Sequence, residues 1–335
     1  MNEFLFSILE WIRGWVGSYG WSMVVFTIMI RLVLTPLDVK SRVSMRKSMK
    51  LQPQQAALQK KYANDKEKLN QKMAELYKKE HINPLSSCLP LLLTWPILIA
   101  VFGAMRLAAN YQMLMQVGQI LNQETPTMEP WLWIKNLWMP DSLFSPAWPD
   151  LNTLRQIPAN EWLTWFRNLD QANLPALLNG LELTEASFAS DQVTNTVNVI
   201  YNAMLAGNTA YAEAIATNPS WNFNLLITQV SLVKEYNGYM LLPILSAVTQ
   251  IAMTKLTGTG SQPGANDQAA TTGKFMQWFF PIFSLVICFG YSSAFALYWV
   301  TGNVVMMVQT IVINKVLDNR EKQKQTSVEG EGTVK

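Results

Sequence analysis

Five stretches of this chain, roughly residues 18–37, 85–108, 239–257, 275–292 and 294–316, are apolar over nearly the length of a helix that crosses hydrocarbon. A bilayer core of about 30 Å takes about 20 helical residues to cross. Inside it, only a helix or a closed barrel satisfies its own backbone hydrogen bonds. The expected fold is therefore an all-α polytopic membrane protein with five transmembrane helices. Composition agrees: 50% of residues are hydrophobic and 15% charged, against about a quarter charged in soluble domains. The 13 tryptophans suit the two interfaces, where an amphipathic ring is half wet.

The modest net charge of +3 conceals an asymmetry. Residues 38–83 carry 12 Lys/Arg against 5 Asp/Glu, and residues 110–237 carry 4 against 11. Lys and Arg accumulate in cytoplasmic loops. The expectation is a cytoplasmic basic segment at 38–83, an outer loop at 109–238, a cytoplasmic flexible linker at 258–273 and a cytoplasmic, disordered tail at 317–335. Five spans then place the N-terminus outside the cell membrane and the C-terminus in the cytoplasm.

Between the spans, residues 1–17 are too short to cross. Phe4, Ile8, Trp11, Ile12 and Trp15 recur at helical spacing opposite Glu3, Glu10 and Arg13, which predicts an interfacial amphipathic helix. The early acids and the lack of a basic start speak against a signal peptide. Residues 38–83 predict a helical hairpin, with Pro53 interrupting its first arm and Ala63-Asn64-Asp65 forming a turn and N-cap. Its basic residues, Arg42, Arg46, Lys47, Lys60 and Lys61 among them, are either a solvated face or a contact for an acidic partner such as ribosomal RNA or anionic lipid. The outer stretch predicts a small helical insert with amphipathic pieces near 159–181, 184–205 and 207–217. Pro36 is expected to loosen the first span near its cytoplasmic end.

Arg31 is the one charge inside that first span, at mid-depth or somewhat beyond. A charge there costs about 2.5–3.5 kcal/mol on insertion scales. No Asp or Glu lies within the five spans to pair with it. A hydrated cavity is the favoured setting; snorkelling to headgroups is the alternative. Thr27, four residues earlier, shares its face. Trp299 and Asn303 are also four apart, and Gln250 and Gln309 interrupt their spans, although each alone fits ordinary helix-to-helix hydrogen bonding. Pro84, Pro90 and Pro96 would bend the second span.

Nothing here resembles an enzyme. There is no glycine-rich phosphate loop, no HExxH, no GxSxG, one histidine (His81), and two cysteines, Cys88 and Cys288, buried in apolar runs where a disulfide is not expected. No metal and no cofactor are expected. The absence of intramembrane acids counts against a proton-coupled transporter.

The stretch TIMIRLVLTPLDVKSRVSMRKSM resembles the arginine-bearing span and cytoplasmic hairpin of the YidC/Oxa/Alb membrane protein insertases. Asn83-Pro84 followed by Cys88-Leu89-Pro90 is similar to that family's start of the next span, and Met139-Pro140-Asp141 to the segment after it. LLPILSAVTQ and ALYWVTGNVVMMVQ resemble its third and last core spans. The likeness covers roughly 18–145 and 235–317. It implies five helices around a hydrophilic groove, open to the cytoplasm and to lipid. Arg31, Thr27, Thr94, Gln250, Tyr298, Trp299 and Asn303 would line that groove. The implied activity is membrane protein insertion and folding without ATP, on nascent membrane proteins, alone or with the Sec translocon, and with the ribosome as a further partner. A small-solute transporter or channel and a non-catalytic scaffold are the rival readings. Ser87 stands where the family has Gly, Thr94-Trp95 where it has Gln-Met, and the insert near 146–235 is unusual for a five-span member. The short lead before the arginine span suggests the Gram-positive-like type.

Overall fold

The computed structural model describes residues 2–80, 89–170, 174–178, 180–225, 228–257 and 267–332. The starts of the second span, with Asn83-Pro84 and Cys88, and of the linker, 258–266, lie outside the described residues.

Twelve helices are described. They are α1 (Asn2–Val16), α2 (Tyr19–Lys50), α3 (Gln52–Lys61), α4 (Lys66–Lys79), α5 (Leu89–Leu121), α6 (Leu151–Leu154), α7 (Ala159–Arg167), α8 (Val193–Gly207), α9 (Thr209–Ala214), α10 (Leu241–Thr257), α11 (Asp267–Gly290) and α12 (Ser293–Gly332). Short 3-10 turns lie at Ala176–Leu178 and Glu185–Phe188, and two strands, β1 (Thr217–Leu225) and β2 (Thr228–Val233), pair antiparallel. Three helices are long and apolar enough to cross a membrane, over Tyr19–Ser44, Pro96–Leu121 and Ser293–Gln323; Leu241–Thr257 and Gln277–Gly290 are shorter apolar helices.

Four expectations change. The insert is not wholly helical: β1 and β2 pair through Leu225↔Thr228 and Phe223↔Val230, with an irregularity between Thr217 and Asn222. Trp221, Phe223 and Leu225 alternate at the period of a strand, and Pro219 marks the irregular part. The tail is helical as far as Gly332 rather than disordered. Residues 320–325 are strong helix formers, and no Gly or Pro follows until Gly330. The described end of the linker, 267–273, is the first part of α11. Pro36 does not end α2, which runs on to Lys50.

Other expectations hold. Pro53 falls in the first turn of α3, where its missing N–H costs nothing. Asp65 caps α4 by accepting from the Lys68 N–H at 3.0 Å. Cys288 is wholly buried, as expected of a small apolar side chain. In α1, Leu9 and Ile12 are buried while Phe4, Trp11 and Trp15 stay uncovered. That division suits a helix pressed on protein by one side and on the interface by the other.

The chain divides into two compact units. The first comprises Met1–Phe26, Ala100–Leu245 and Leu285–Trp299. Ala100, Ala104 and Ala108 form a buried small-residue ridge along α5, on which larger side chains settle. Gly20 lies so close to the Trp131 ring that a Cβ there would sit 2.1 Å from it. The insert has its own core of Trp162, Phe166 and Phe188, with the two phenylalanine rings 4.9 Å apart. It leaves and returns at one point: Pro146 pairs with Tyr236, and the Ala147 N–H donates to the Glu235 carbonyl at 3.1 Å.

A buried polar node ties that neck to two helix starts. Asn237 donates to the carbonyls of Asn136, Met139 and Pro140, while its side-chain oxygen accepts from the Asn136 N–H. The wholly buried Asp141 accepts from the N–H groups of Met240 and Leu242, at 3.0 and 2.7 Å, and from the Trp133 indole at 3.1 Å. A carboxyl group at the start of α10 meets both its orphan donors and the positive end of its dipole. Ser293, at the start of α12, donates to the Met139 carbonyl at 2.7 Å.

The second unit comprises Thr27–Ile99, Ser246–Ser284 and Val300–Lys335. It holds most of α2, the hairpin α3–α4, the bulk of α10 and α11, and α12 beyond Trp299.

Candidate functional site

In the second unit a polar seam runs between α2, α10 and α12, built rung by rung from residues at helical spacing. Asn303 on α12 is buried and donates to Thr249 on α10 at 3.1 Å. Six residues on, the Gln309 amide donates to the Arg31 carbonyl at 3.1 Å and to the Thr35 hydroxyl at 2.7 Å, while Thr35 donates to the same carbonyl at 3.0 Å. These bonds tie α12 to the turn just before Pro36, whose missing N–H leaves the Leu32 carbonyl one residue further on. Arg42 donates to Thr310, which in turn donates to the Met306 carbonyl. Arg46 reaches Asp318 at 2.6 Å and Asn314 at 3.1 and 3.2 Å, and Lys50 meets Glu321 at 3.1 Å. Partner numbers rise together, so α2 and α12 run parallel here.

Arg31 projects onto this seam. A Cβ on Gly302 would lie 3.2 Å from its Nη2, so the guanidinium rests against the α12 backbone with no room for a side chain larger than alanine's. Among the described residues its guanidinium has no recorded hydrogen bond or ion pair. Five donors in one side chain without a fixed protein partner are what a hydrated position requires. Asp38, seven residues later and four before Arg42, lies within electrostatic reach of both guanidiniums. The spacing Asp38-Arg42-Arg46-Lys50, every four residues, is the sequence signal for this seam; with Asp38 counted as outside the span, it went unread.

The remaining expected site residues distribute as follows. Thr27 is buried in the same unit, and Gln250 is partly exposed beside Thr249. The Thr94 side chain lies outside the described residues. Tyr298 and Trp299 belong to the first unit, where Phe295 packs against both rings at 6.5 and 5.8 Å. The Trp299 indole N–H is buried with no partner among the described residues. Of the hairpin cations, Arg42 is turned inward, 8% exposed, and Arg46 is engaged with α12. Lys47, Lys60 and Lys61 remain outward. The described residues hold no group of three or more His, Cys, Asp or Glu able to bind a metal.

The description of the 60Kd inner membrane protein family matches residues 11–322. The chain belongs to that family. It is the YidC/Oxa family that the arginine-bearing span resembles. Family members named "Membrane protein insertase YidC" are similar to it. The Fusobacterium nucleatum protein is 43% identical over 106 residues, 32% of this chain and 52% of its own. Those of Cupriavidus necator and Thioalkalivibrio sulfidiphilus are 36% and 38% identical over 141 residues, 42% of this chain and 23% of theirs. The aligned stretches thus span about half of one relative and under a quarter of the others. Family membership and the apolar helices make this a multi-pass cell membrane protein.

Proposed function

We propose that this chain is a membrane protein insertase and folding chaperone, not an enzyme in the covalent sense. The observation that carries the reading is Arg31: a charge in mid-span, held against Gly302, with its guanidinium free among the described residues. In this reading five spans enclose a hydrophilic groove lined by Arg31, Thr27, Thr94, Gln250, Tyr298, Trp299 and Asn303. The hairpin α3–α4 and the end of α12 lie in the cytoplasm, and the insert and N-terminus lie outside. The polar end of a nascent membrane protein enters the groove and exchanges bulk water for cavity water and a positive charge, which offsets part of its desolvation cost. Its apolar segment then leaves into lipid, a downhill step of about 25 cal/mol per Å² removed from water, so no nucleotide is consumed. The Sec translocon and the ribosome are the partners this reading adds.

The test is growth rescue of a bacterium depleted of its own YidC. Wild type and Arg31→Lys are expected to rescue and Arg31→Ala to fail, with all three inserted at equal levels. A chain lacking 147–234, closed by a short linker where Pro146 meets Tyr236, is expected to rescue. Stable insertion of wild type without rescue would sink the proposal, and full rescue by Arg31→Ala would remove the arginine from it.

A further inference from the structure

Below the rungs of the seam, α2 and α12 enclose a cavity of about 630 Å³ lined by Val43, Arg46, Lys47, Lys50, Leu317, Arg320, Glu321 and Gln323. Four cations face one carboxylate across it. Two of the four are committed, Arg46 to Asp318 at 2.6 Å and Lys50 to Glu321 at 3.1 Å. No ion pair is recorded among the described residues for Lys47 or Arg320. The cavity therefore presents two uncompensated positive charges and the Gln323 amide above an apolar floor of Val43 and Leu317.

Its depth says what kind of anion it meets. On α12 the uncovered large apolar side chains beyond Trp299 are Val304, Val308, Ile311, Val312 and Val316, the last of them among the described side chains. Arg320 follows one turn later, about 6 Å along the axis. The polar shell of a bilayer leaflet beyond the hydrocarbon is about 5–8 Å thick. Arg320 thus stands where phosphates stand when Val316 stands in acyl chains. A cavity that is apolar on one side and cationic on the other matches one molecule in both halves, an acidic phospholipid with the first methylenes of its acyl chains on Val43 and Leu317. A free nucleotide or an acidic peptide would use the cations and leave the floor unmatched.

We propose that this cavity is a binding site for the headgroup of an anionic phospholipid, with Lys47 and Arg320 holding the phosphate and Arg46 and Lys50 held in place by their carboxylate partners. An occupied site bridges α2 and α12 below Arg31 and stiffens the end of the seam. The inference rests on the chain spanning a membrane and not on its insertase activity, so the two fail separately.

The experiment is native mass spectrometry of the full-length chain from detergent containing equal phosphatidylglycerol and phosphatidylcholine. Wild type is expected to retain phosphatidylglycerol in preference. Lys47→Gln with Arg320→Gln should lower that retention by about 30-fold, about 5-fold for each cation. The pair Lys78→Gln and Lys79→Gln at the end of α4, both exposed, removes the same charge and should leave retention unchanged. Lys47→Arg with Arg320→Lys should restore it, which separates lost charge from a misfolded site. Equal retention in the Lys47/Arg320 double variant, or equal loss in both glutamine pairs, overturns the proposal. So does displacement of the bound lipid by millimolar inorganic phosphate or by a short RNA, since either would show that the cations alone make the site.

Discussion

Asp141 is the side chain whose loss the fold should feel most. It is wholly buried, and its two oxygens receive three donors, the N–H groups of Met240 and Leu242 and the indole of Trp133. Hydrogen bonds to a charged group contribute about 1.5–3 kcal/mol each, and a buried donor left without a partner costs about 1–3 kcal/mol. Asp141→Ala orphans all three at once. The losses share one network and do not add fully, so the expected destabilisation is about 3–5 kcal/mol. Asp141→Asn keeps the volume and one acceptor but loses the charge at the start of α10, which should cost about 2–3 kcal/mol. Gly238→Ala reaches the same node from outside: its Cβ would lie 2.0 Å from Oδ1 and 3.3 Å from the Asp141 Cα. The assay is unfolding by sodium dodecyl sulfate titration in mixed micelles, followed by circular dichroism. The Gly238→Ala/Asp141→Ala double variant should be no less stable than Asp141→Ala alone. A loss under about 1 kcal/mol for Asp141→Ala, or full additivity in the double variant, would refute the assignment of the node.

Three further outcomes follow from the same geometry. Gly302→Leu should abolish rescue as Arg31→Ala does, whereas Gly302→Ala, with its Cβ at 3.2 Å from Nη2, should be tolerated; growth of the depleted strain separates them. Gly20→Val drives a branched side chain into the Trp131 ring and should cost about 1–3 kcal/mol, as overpacking does, read as a lower Tm and partly restored by Trp131→Leu. Burial raises the Glu161 carboxyl above its ordinary 4.5, against the smaller opposing effects of Asn110 and Arg106. The folded protein therefore binds the proton more tightly than the unfolded chain, and stability falls as pH rises through a window that opens near 4.5. Glu161→Gln should flatten that slope in a pH series of Tm measurements; an unchanged slope would remove Glu161 as its source.

Three apolar spans, in α2, α5 and α12, were legible because about 20 residues with little charge have few alternatives. The short helices were legible from their punctuation, Asp65 as a cap and Pro53 in a first turn. What sequence reading lost lay where a local signal was outweighed by a partner far along the chain. The end of α12 looks like a solvated tail until Arg46 and Lys50 are seen opposite Asp318 and Glu321, some 270 residues away. Pro36 reads as a loosened turn until Gln309 is found tying α12 to Arg31 and Thr35 just before it. Arg31, by contrast, announced itself, because a charge inside an apolar span has to be explained from anywhere in the sequence. Its contact with Gly302 did not, since a glycine inside a span carries no mark of what it makes room for.

The forty residues of α12 form one uninterrupted helix, about 60 Å from end to end. A rod of that length does not absorb a push; it passes it on. The rungs at Asn303, Gln309, Thr310 and Asn314 are fixed to one shaft, so a ligand that rotates or tugs the stretch near Arg320 turns every rung by the same angle. The position of Gly302 under Arg31 thereby becomes a readout of what is bound some 27 Å away, at 1.5 Å per residue along the same axis.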